Sequence, residues 1–313
     1  MAEEESHGRA RRRRVLAIVN AGAGTVVVGG RAIEEAIAEI GANSGLVITV
    51  EPVDGDSIER AARRGLEAAR DGRFDVIAVG GGDGTIRAAA TLFADTGVPL
   101  AILPLGTLNH FARDVGIPGD LAAAVGLIAT GEVRAVDAGE VNGLLFINNS
   151  SIGIYPYMAA DRERRRARTG QSKWSAMVLA AIRVARRFPH RRLSVRTGGR
   201  EKPYRTACLF VGNNEYDMKF ASLGRRHLDG GRLHVYVTRP VTPLAFLWFA
   251  LKAGLGLRLP ELDRWQVESA EITTATSRLP VALDGEVEML SPPLHYRTRP
   301  GALRIIVPEG TWT

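Results

Sequence analysis

Between Val15 and Ala135 the chain alternates between short apolar runs and stretches in which apolar residues recur at helical spacing. The run Val15–Val19 is apolar throughout and predicts a buried strand, and the apolar positions from Ile33 to Ile40 predict an amphipathic helix. The alternation continues with a second helix over 58–69 and with strands over 46–50, 74–79 and 100–103. Alternating strands and helices are typical of a parallel α/β layer, in which ligands bind beyond the carboxyl ends of the strands.

Beyond Asp137 the pattern changes to short strands in which polar and apolar residues alternate around Gly and Asn turns. These strands are predicted over 143–149, 191–196, 204–212, 232–238, 267–273 and 279–283. We therefore predict a Rossmann-like parallel α/β domain over 15–137, followed by a β-rich antiparallel sandwich domain over 138–299. Residues 1–14 are predicted to be a disordered basic tail. A final strand is predicted over 302–307. Residues 300–313 join either the first domain or the second.

Two segments of the second half suggest contact with a lipid surface. The most apolar segment, Pro243–Leu251, is too short to cross a bilayer, which takes about 20 apolar residues. It is interpreted as a buried helix or, alternatively, as a helix at a lipid interface. Arginines cluster from Arg162 to Arg168 and continue from Arg183 to Arg192. The cluster is interpreted either as a solvated charged face or as a docking surface for an anionic membrane. No pattern typical of nucleic-acid recognition accompanies them.

Composition narrows the class of protein. Of 313 residues, 45% are hydrophobic and 24% are charged, which excludes wholesale disorder and a fibrous fold. The 41 Lys and Arg exceed the 34 Asp and Glu, and the net charge of +7 favours anionic partners. One cysteine, Cys208, excludes an internal disulfide and a multi-thiolate metal site. A chain without disulfides fits a reducing compartment. The first apolar run is too short for the core of a signal peptide, so we expect a cytoplasmic protein.

Three glycine-containing loops follow predicted strands and form one candidate cleft. The most informative is Gly80–Thr85, because glycines let backbone N–H groups approach a phosphate at the start of a helix. Asp83 within it points to Mg²⁺ between the carboxylate and a polyphosphate, or else to a tight turn in which Asp83 caps the helix. The other two loops are Asn20–Thr25, which lacks the P-loop and dinucleotide motifs, and Pro104–Arg113.

Four motifs stand out along the chain: Gly81-Gly-Asp-Gly-Thr85, Pro104-Leu-Gly-Thr-Leu-Asn109, Leu228-Asp-Gly-Gly-Arg-Leu233 and Leu283-Asp-Gly-Glu286. Together they resemble the diacylglycerol kinase catalytic-domain family, which includes bacterial lipid kinases and sphingosine kinases and is similar in fold to NAD kinases. The resemblance spans Val15 to Pro308. It implies a nucleotide-binding domain, a β-rich domain that binds a lipid substrate, and a cleft between them that takes ATP and Mg²⁺.

The resemblance also implies roles for individual residues. Glu286 would be the general base, with Asp284 beside it in a carboxylate–water–Mg²⁺ network, and Asp83, Asp137 and Asp229 would bind metal. The positions that would contact ATP are Asn20, Ala21, Gly22, Ala23, Gly24, Gly81, Gly82, Asp83, Gly84, Thr85, Thr107 and Asn109. A second interpretation of Asp284-Gly285 is the tip of a type I′ hairpin.

Our leading hypothesis is an ATP-dependent lipid kinase that phosphorylates a lipid hydroxyl, first of all that of diacylglycerol, giving phosphatidic acid. It would act as a peripheral protein on the inner face of the membrane. Alternatives are a kinase of NAD or another soluble metabolite, and a catalytically silent nucleotide- or lipid-binding protein. The silent protein is suggested by Arg87-Ala88, His110 and Gly230, where many relatives carry other polar residues. The oligomeric state stays open, with a homodimer among the alternatives.

Overall fold

The computed structural model describes residues 12–22, 27–28, 31–154, 191–219, 222–225, 227–240, 242–255 and 257–312. The tail up to residue 11, the expected nucleotide contacts Ala23 and Gly24, and the arginine cluster up to residue 190 lie outside these ranges. Arg14, which we assigned to the tail, is instead the first residue of a strand, and its guanidinium pairs with Asp75 at 2.9 Å.

The first half forms the predicted parallel layer. Its strands are β1 (Arg14–Asn20), β2 (Val27–Val28), β3 (Arg31–Ala32), β4 (Val47–Val53), β5 (Val76–Gly81) and β6 (Pro99–Pro104). Its helices are α1 (Ile33–Asn43), α2 (Ile58–Arg70), α3 (Asp83–Phe93), α4 (His110–Asp114) and α5 (Leu121–Thr130), with a 3₁₀ turn at Gly55–Ser57. The strands β6, β5, β1 and β4 pair in that order and all run parallel, so their carboxyl ends meet at one edge of the sheet.

The second half is antiparallel and rich in strands. Its elements, with one helix between β15 and β16, are β7 (Glu132–Val141), β8 (Leu144–Phe146), β9 (Asn149–Gly153), β10 (Arg191–Thr197), β11 (Arg200–Thr206), β12 (Cys208–Asn213), β13 (Tyr216–Lys219), β14 (Ser222–Arg225), β15 (Leu233–Thr238), α6 (Pro243–Gly254), β16 (Leu262–Val267), β17 (Ser269–Thr273), β18 (Leu279–Leu283), β19 (Glu286–Leu290) and β20 (Leu294–Val307). A six-stranded sheet has the order β16-β15-β12-β9-β18-β19. The predicted combination of a parallel α/β half and an antiparallel β-rich half is confirmed.

The long strand β20 joins the two halves. Arg304 and Ile305 pair in parallel with β6, the earlier residues 294–297 pair with β17, and β7 pairs antiparallel with β20 from Tyr296 to Val307. A ten-stranded sheet therefore contains the path β11-β10-β17-β20-β6-β5-β1-β4 across both halves. Leu303, Ile305 and Val307 are buried in the core of the first half, so the end of the described chain completes that layer.

The strand predicted over 204–212 is in fact parts of two strands, and that prediction was wrong, whereas the strand predicted over 267–273 is found as β17. The chain changes sheets at Ala207, between β11 and β12, and again at Glu268, between β16 and β17. Both sheets face one core, to which Val195 and Ile272 contribute from one side and Val211 and Val281 from the other. Each sheet packs its apolar face against the same core, so polar and apolar residues alternate in the same way in both sheets. The alternation therefore does not mark where the chain passes from one sheet to the other.

Helix α6 is only partly buried. Phe249 is 8% exposed and packs with Tyr236 and Leu262, whereas Leu244 is 77% exposed on the other side of the helix. The interpretation as a buried helix was therefore wrong for its outer face. Within the described ranges, none of the helices has the length and apolar character needed to span a bilayer.

Candidate active site

The first loop is tied to the start of helix α3. Asn20 ends β1, and its Nδ2 donates to Thr85 Oγ1 at 3.1 Å while its Oδ1 accepts from the N–H of Gly22 at 2.9 Å. Ala21 N–H donates to the carbonyl of Val53 at 2.9 Å. The structure thus brings Asn20, Ala21 and Gly22 together with Thr85, as the predicted cleft at the strand ends requires.

The glycine loop between β5 and α3 leaves the helix N-terminus open. Gly82, in an extended conformation, occupies the N-cap position, and no side chain caps the helix. The alternative in which Asp83 caps the helix was therefore wrong: Asp83 is the first helical residue, and its Oδ1 accepts a long bond of 3.4 Å from Phe111 N–H. The free N–H groups of an uncapped N-terminus and the helix dipole both favour a bound anion.

The third loop packs directly on the glycine loop. A Cβ atom at Gly106 would lie 2.5 Å from the Cα of Gly82, so a side chain is excluded there. Asn109, at φ 48°, donates from Nδ2 to Gly106 O at 2.8 Å and Pro104 O at 3.2 Å, and its Oδ1 accepts from Gly106 N–H at 3.0 Å. The Asn109 amide is thus used inside the loop, which it shapes, while Thr107 is exposed on it.

The hairpin between β18 and β19 carries Asp284 at its tip. Asp284 and Gly285 have φ values of 49° and 95°, and Leu283 pairs with Glu286, so the predicted type I′ turn is confirmed. The Asp284 carboxylate accepts three backbone N–H groups, from residues 147 (2.8 Å), 148 (2.7 Å) and 149 (2.9 Å). Its side chain is only 1% exposed. Asp284 therefore fixes the hairpin against the start of β9.

Burial raises the pKa of Asp284 above its ordinary value, against the opposing effect of the three N–H donors and of Arg87. The Arg87 guanidinium lies 4.0 Å from Asp284 Oδ2. Both Asp284 oxygens already accept N–H groups, so this carboxylate holds the backbone at residues 147–149 and is not free.

Glu286 projects from the hairpin over the first turn of α3. A Cβ atom at Gly84 would lie 2.7 Å from Glu286 Oε1, so the carboxylate sits against the glycine loop, next to Asp83. Its side chain is 53% exposed. An accessible carboxylate beside an uncapped helix N-terminus can in principle act as a proton acceptor for a group that approaches a bound anion.

Arg87 belongs to the segment from Gly81 that the resemblance places at ATP, but the sequence did not predict its contact with Glu286. Its Nη1 donates to Glu286 Oε2 at 2.5 Å, and its Nε donates to Leu145 O at 3.3 Å. The side chain is 12% exposed. The only signal in the sequence was a departure from the pattern of relatives at Arg87-Ala88, which did not reveal that the guanidinium faces the expected base.

Asp137 is held by the protein itself. It is 2% exposed, and its carboxylate accepts N–H groups from Gly301 (2.8 Å), Gly231 (2.6 Å) and Asn214 Nδ2 (3.1 Å). The Asn214 Oδ1 in turn accepts from Gly230 N–H at 3.0 Å, at the position where many relatives carry an acid. Three hydrogen bonds from the protein thus engage both oxygens of the carboxylate that the resemblance assigned to a metal.

The three carboxylates expected to share a metal are not assembled. In the described part of the chain, no group of three or more His, Cys, Asp or Glu side chains is arranged to hold a metal ion. Asp137 is buried under three N–H donors and Asp229 is exposed. Asp83 alone lies on the glycine loop, which fits a Mg²⁺ that arrives with a nucleotide, because Mg²⁺ usually takes one or two carboxylates and substrate phosphates.

The chain matches two family models. Residues 14–141 match the diacylglycerol kinase catalytic domain, and residues 151–307 match the YegS C-terminal NAD kinase beta sandwich-like domain. A probable lipid kinase, YegS-like, of Pseudomonas aeruginosa strain PAO1 is 32% identical over 286 residues, which cover 85% of this chain and 86% of that protein. The diacylglycerol kinase of Bacillus subtilis strain 168 is 44% identical over 78 residues, 24% of this chain and 26% of that protein.

The fold is also shared with solved structures. The crystal structure of a putative diacylglycerol kinase from Bacillus anthracis str. Sterne superposes with a TM-score of 0.73 at 24% identity, covering 97% of this chain and 100% of that one. That similarity concerns the fold alone. The family itself follows from the two family matches, the Pseudomonas relative and the motifs around Asp83 and Glu286. The chain belongs to the diacylglycerol kinase catalytic-domain family of lipid kinases, which are phosphotransferases with an alcohol acceptor.

Proposed function

We propose that this lipid kinase transfers the γ-phosphate of ATP to the hydroxyl of diacylglycerol and releases phosphatidic acid. The observation that carries the proposal is the position of Glu286 Oε1 against Gly84 in the glycine loop. It puts an exposed proton acceptor beside the site where the phosphates would bind. Phosphoryl transfer needs alignment, charge neutralisation and one base, and this cleft offers candidates for each.

ATP binds, in this proposal, with its phosphates on the uncapped N-terminus of α3. The N–H groups of Gly81 to Thr85 would approach the phosphates, with Asn20, Gly22 and Thr107 around them. Asp83 would hold Mg²⁺, which when bound neutralises phosphate charge. Phosphate oxygens and water would supply the remaining Mg²⁺ ligands, because no protein cage of carboxylates is present among the described residues.

Glu286 takes the proton of the attacking hydroxyl. The Arg87 contact holds Oε2, which leaves Oε1 on the side of the glycine loop. Asp284 acts through Glu286 by fixing the hairpin from which the base projects. A base that is held in this way loses little orientational freedom when the alcohol arrives.

Diacylglycerol is the proposed acceptor because the Bacillus subtilis relative is named a diacylglycerol kinase, and its 44% identity lies in a 78-residue segment. The Pseudomonas relatives are named only as probable lipid kinases, which supports a lipid hydroxyl without specifying it.

The test is transfer of labelled phosphate. Purified protein is incubated with γ-labelled ATP, Mg²⁺ and a total lipid extract, with NAD in a parallel reaction, and the labelled product is identified by mass. We expect labelled phosphatidic acid, and a loss of roughly 10²- to 10⁴-fold in kcat for Glu286→Gln. Glu288→Gln, on the same strand, is the matched control and should retain activity.

The proposal fails if no lipid is labelled, or if Glu286→Gln matches wild type. Label on NAD without label on lipid would establish the soluble-metabolite kinase instead. Binding of ATP without any turnover would establish a silent binding protein.

A further inference from the structure

Helix α6 carries a row of large apolar side chains that face away from the rest of the protein. Leu244, Leu247, Trp248, Leu251 and Leu255, here called the α6 row, are 77%, 67%, 58%, 50% and 58% exposed. Their spacing of three and four residues places them on one side of the helix. Leu257 just beyond the helix is a further 54% exposed. A contiguous apolar patch of this kind marks an interaction surface.

Packing on the opposite side fixes the direction of the α6 row. Phe246 and Phe249 face inward, with ring centroids 6.0 Å apart, and pack with Tyr236 and Leu262. Lys252 Nζ donates to Glu261 Oε1 at 2.5 Å and ties the end of the helix to the following loop. The helix cannot rotate to bury the α6 row without losing these contacts.

Residue types and charge around the α6 row favour one kind of partner. From Thr242 to Leu259 the sequence contains no acid; Lys252 is paired with Glu261, and Arg258 is exposed. Trp248 in the row is the residue type that prefers the boundary between hydrocarbon and water. An anionic bilayer satisfies both the apolar row and the exposed Arg258.

We propose that the α6 row docks this protein on the surface of an anionic lipid bilayer. The choice of a bilayer over another apolar partner rests in part on the proposed function, since a kinase of diacylglycerol must reach its acceptor in a membrane.

The test is sedimentation of the full-length protein with vesicles, without ATP. The vesicles contain phosphatidylglycerol and phosphatidylcholine, or phosphatidylcholine alone. We expect binding to the anionic vesicles, and at least roughly tenfold weaker binding for the double variant Leu247→Gln/Trp248→Gln. Val47→Gln, which changes an apolar residue 51% exposed on β4, is the matched control and should bind as wild type does. Thermal unfolding establishes that each variant is folded.

Equal binding by the double variant and wild type would overturn the proposal, as would a wild type that does not bind the anionic vesicles. Sedimentation velocity in the same buffer tests the other occupant: a wild-type dimer that the double variant converts to a monomer, with vesicle binding unchanged, would assign the α6 row to self-association. Because no ATP is present, vesicle binding can succeed even if the kinase assay labels no lipid, so the two proposals fail separately.

Discussion

Arg87 and Glu286 form an ion pair across 199 positions of sequence, with Nη1 and Oε2 2.5 Å apart. Arg87 belongs to α3, whose start carries the glycine loop, and Glu286 belongs to the β-rich half. The pair therefore connects the element that would hold the phosphates to the residue that would act as base. Its two ends are not equally accessible, since the side chain of Arg87 is 12% exposed and that of Glu286 is 53% exposed.

Loss of the Arg87 guanidinium should misplace the base. We expect Arg87→Ala to lower kcat by roughly 10- to 100-fold, because a base displaced by an ångström loses alignment with the attacking oxygen. The KM for ATP should change less, and Arg87→Lys should recover part of the rate. Steady-state kinetics on the phosphorylated lipid measure both constants. An Arg87→Ala enzyme with the wild-type kcat would show that Glu286 keeps its orientation without the ion pair.

Asp284 should matter for stability as well as for rate. Asp284→Ala leaves three backbone N–H groups without an acceptor, two of them on the buried residues Ile147 and Asn148. We expect the free energy of unfolding to fall by roughly 2 to 4 kcal/mol, as measured by urea denaturation. Asp284→Asn retains one acceptor oxygen and should lose less. Equal stability of the alanine variant and wild type would mean that water replaces the carboxylate.

Two glycine variants should separate catalysis from folding. In Gly84→Ala the new methyl group would meet only the end of the Glu286 side chain, at 2.7 Å, which can move away. We therefore expect kcat to fall roughly 10- to 100-fold with little change in stability. In Gly106→Ala the methyl group would lie 2.5 Å from the backbone of Gly82, so the unfolding temperature should drop. The opposite pattern would contradict this description of the loops.

Removal of divalent metal should stop turnover and leave the fold intact. EDTA removes the Mg²⁺ that ATP requires, whereas the Asp137 carboxylate is held by three N–H groups of the protein. We expect the thermal unfolding midpoint to be the same with EDTA and with Mg²⁺, in the absence of nucleotide. A midpoint that falls on chelation and returns with Mg²⁺ would reveal a metal bound by the folded protein, because a ligand of the native state raises its stability.

Acid should weaken one ion-pair network of the β-rich half. Burial raises the pKa of Asp263, but hydrogen bonds from Lys202, Arg239 and Tyr204 outweigh it and lower the pKa to about 2. Since the folded pKa lies below the unfolded value of about 3.9, this carboxylate stabilises the protein above pH 4 and ceases to do so as the pH falls through 2.

Asp263→Asn should therefore lose about 1 to 2 kcal/mol at pH 7, and the difference from wild type should close between about pH 4 and pH 2. Urea unfolding across that range measures it, and Asp56→Asn, in an exposed turn, is the control. A stability difference that persists unchanged at pH 2 would show that packing, and not the charge of Asp263, accounts for the loss.

The local pattern of the chain was enough to predict much of the fold. Strand β1, helices α1 and α2, and the type I′ hairpin at Asp284 were predicted because each depends on residues close in sequence: an apolar run, a helical period, or an Asp-Gly pair. The glycine loops were identified in the same way. The sequence did not reveal the sheet changes at Ala207 and Glu268, because the alternation of side chains is the same in either sheet.

The sequence alone determined the order of elements, the glycine loops and the family motifs, all of which are properties of neighbouring residues. Only the tertiary structure decided which carboxylates remain accessible. It buried Asp284 and Asp137 under N–H donors, exposed Glu286 beside Gly84, and placed Arg87 against Glu286. The reason is physical: whether a charged group is saturated, paired or open to solvent depends on donors that folding brings from distant parts of the chain.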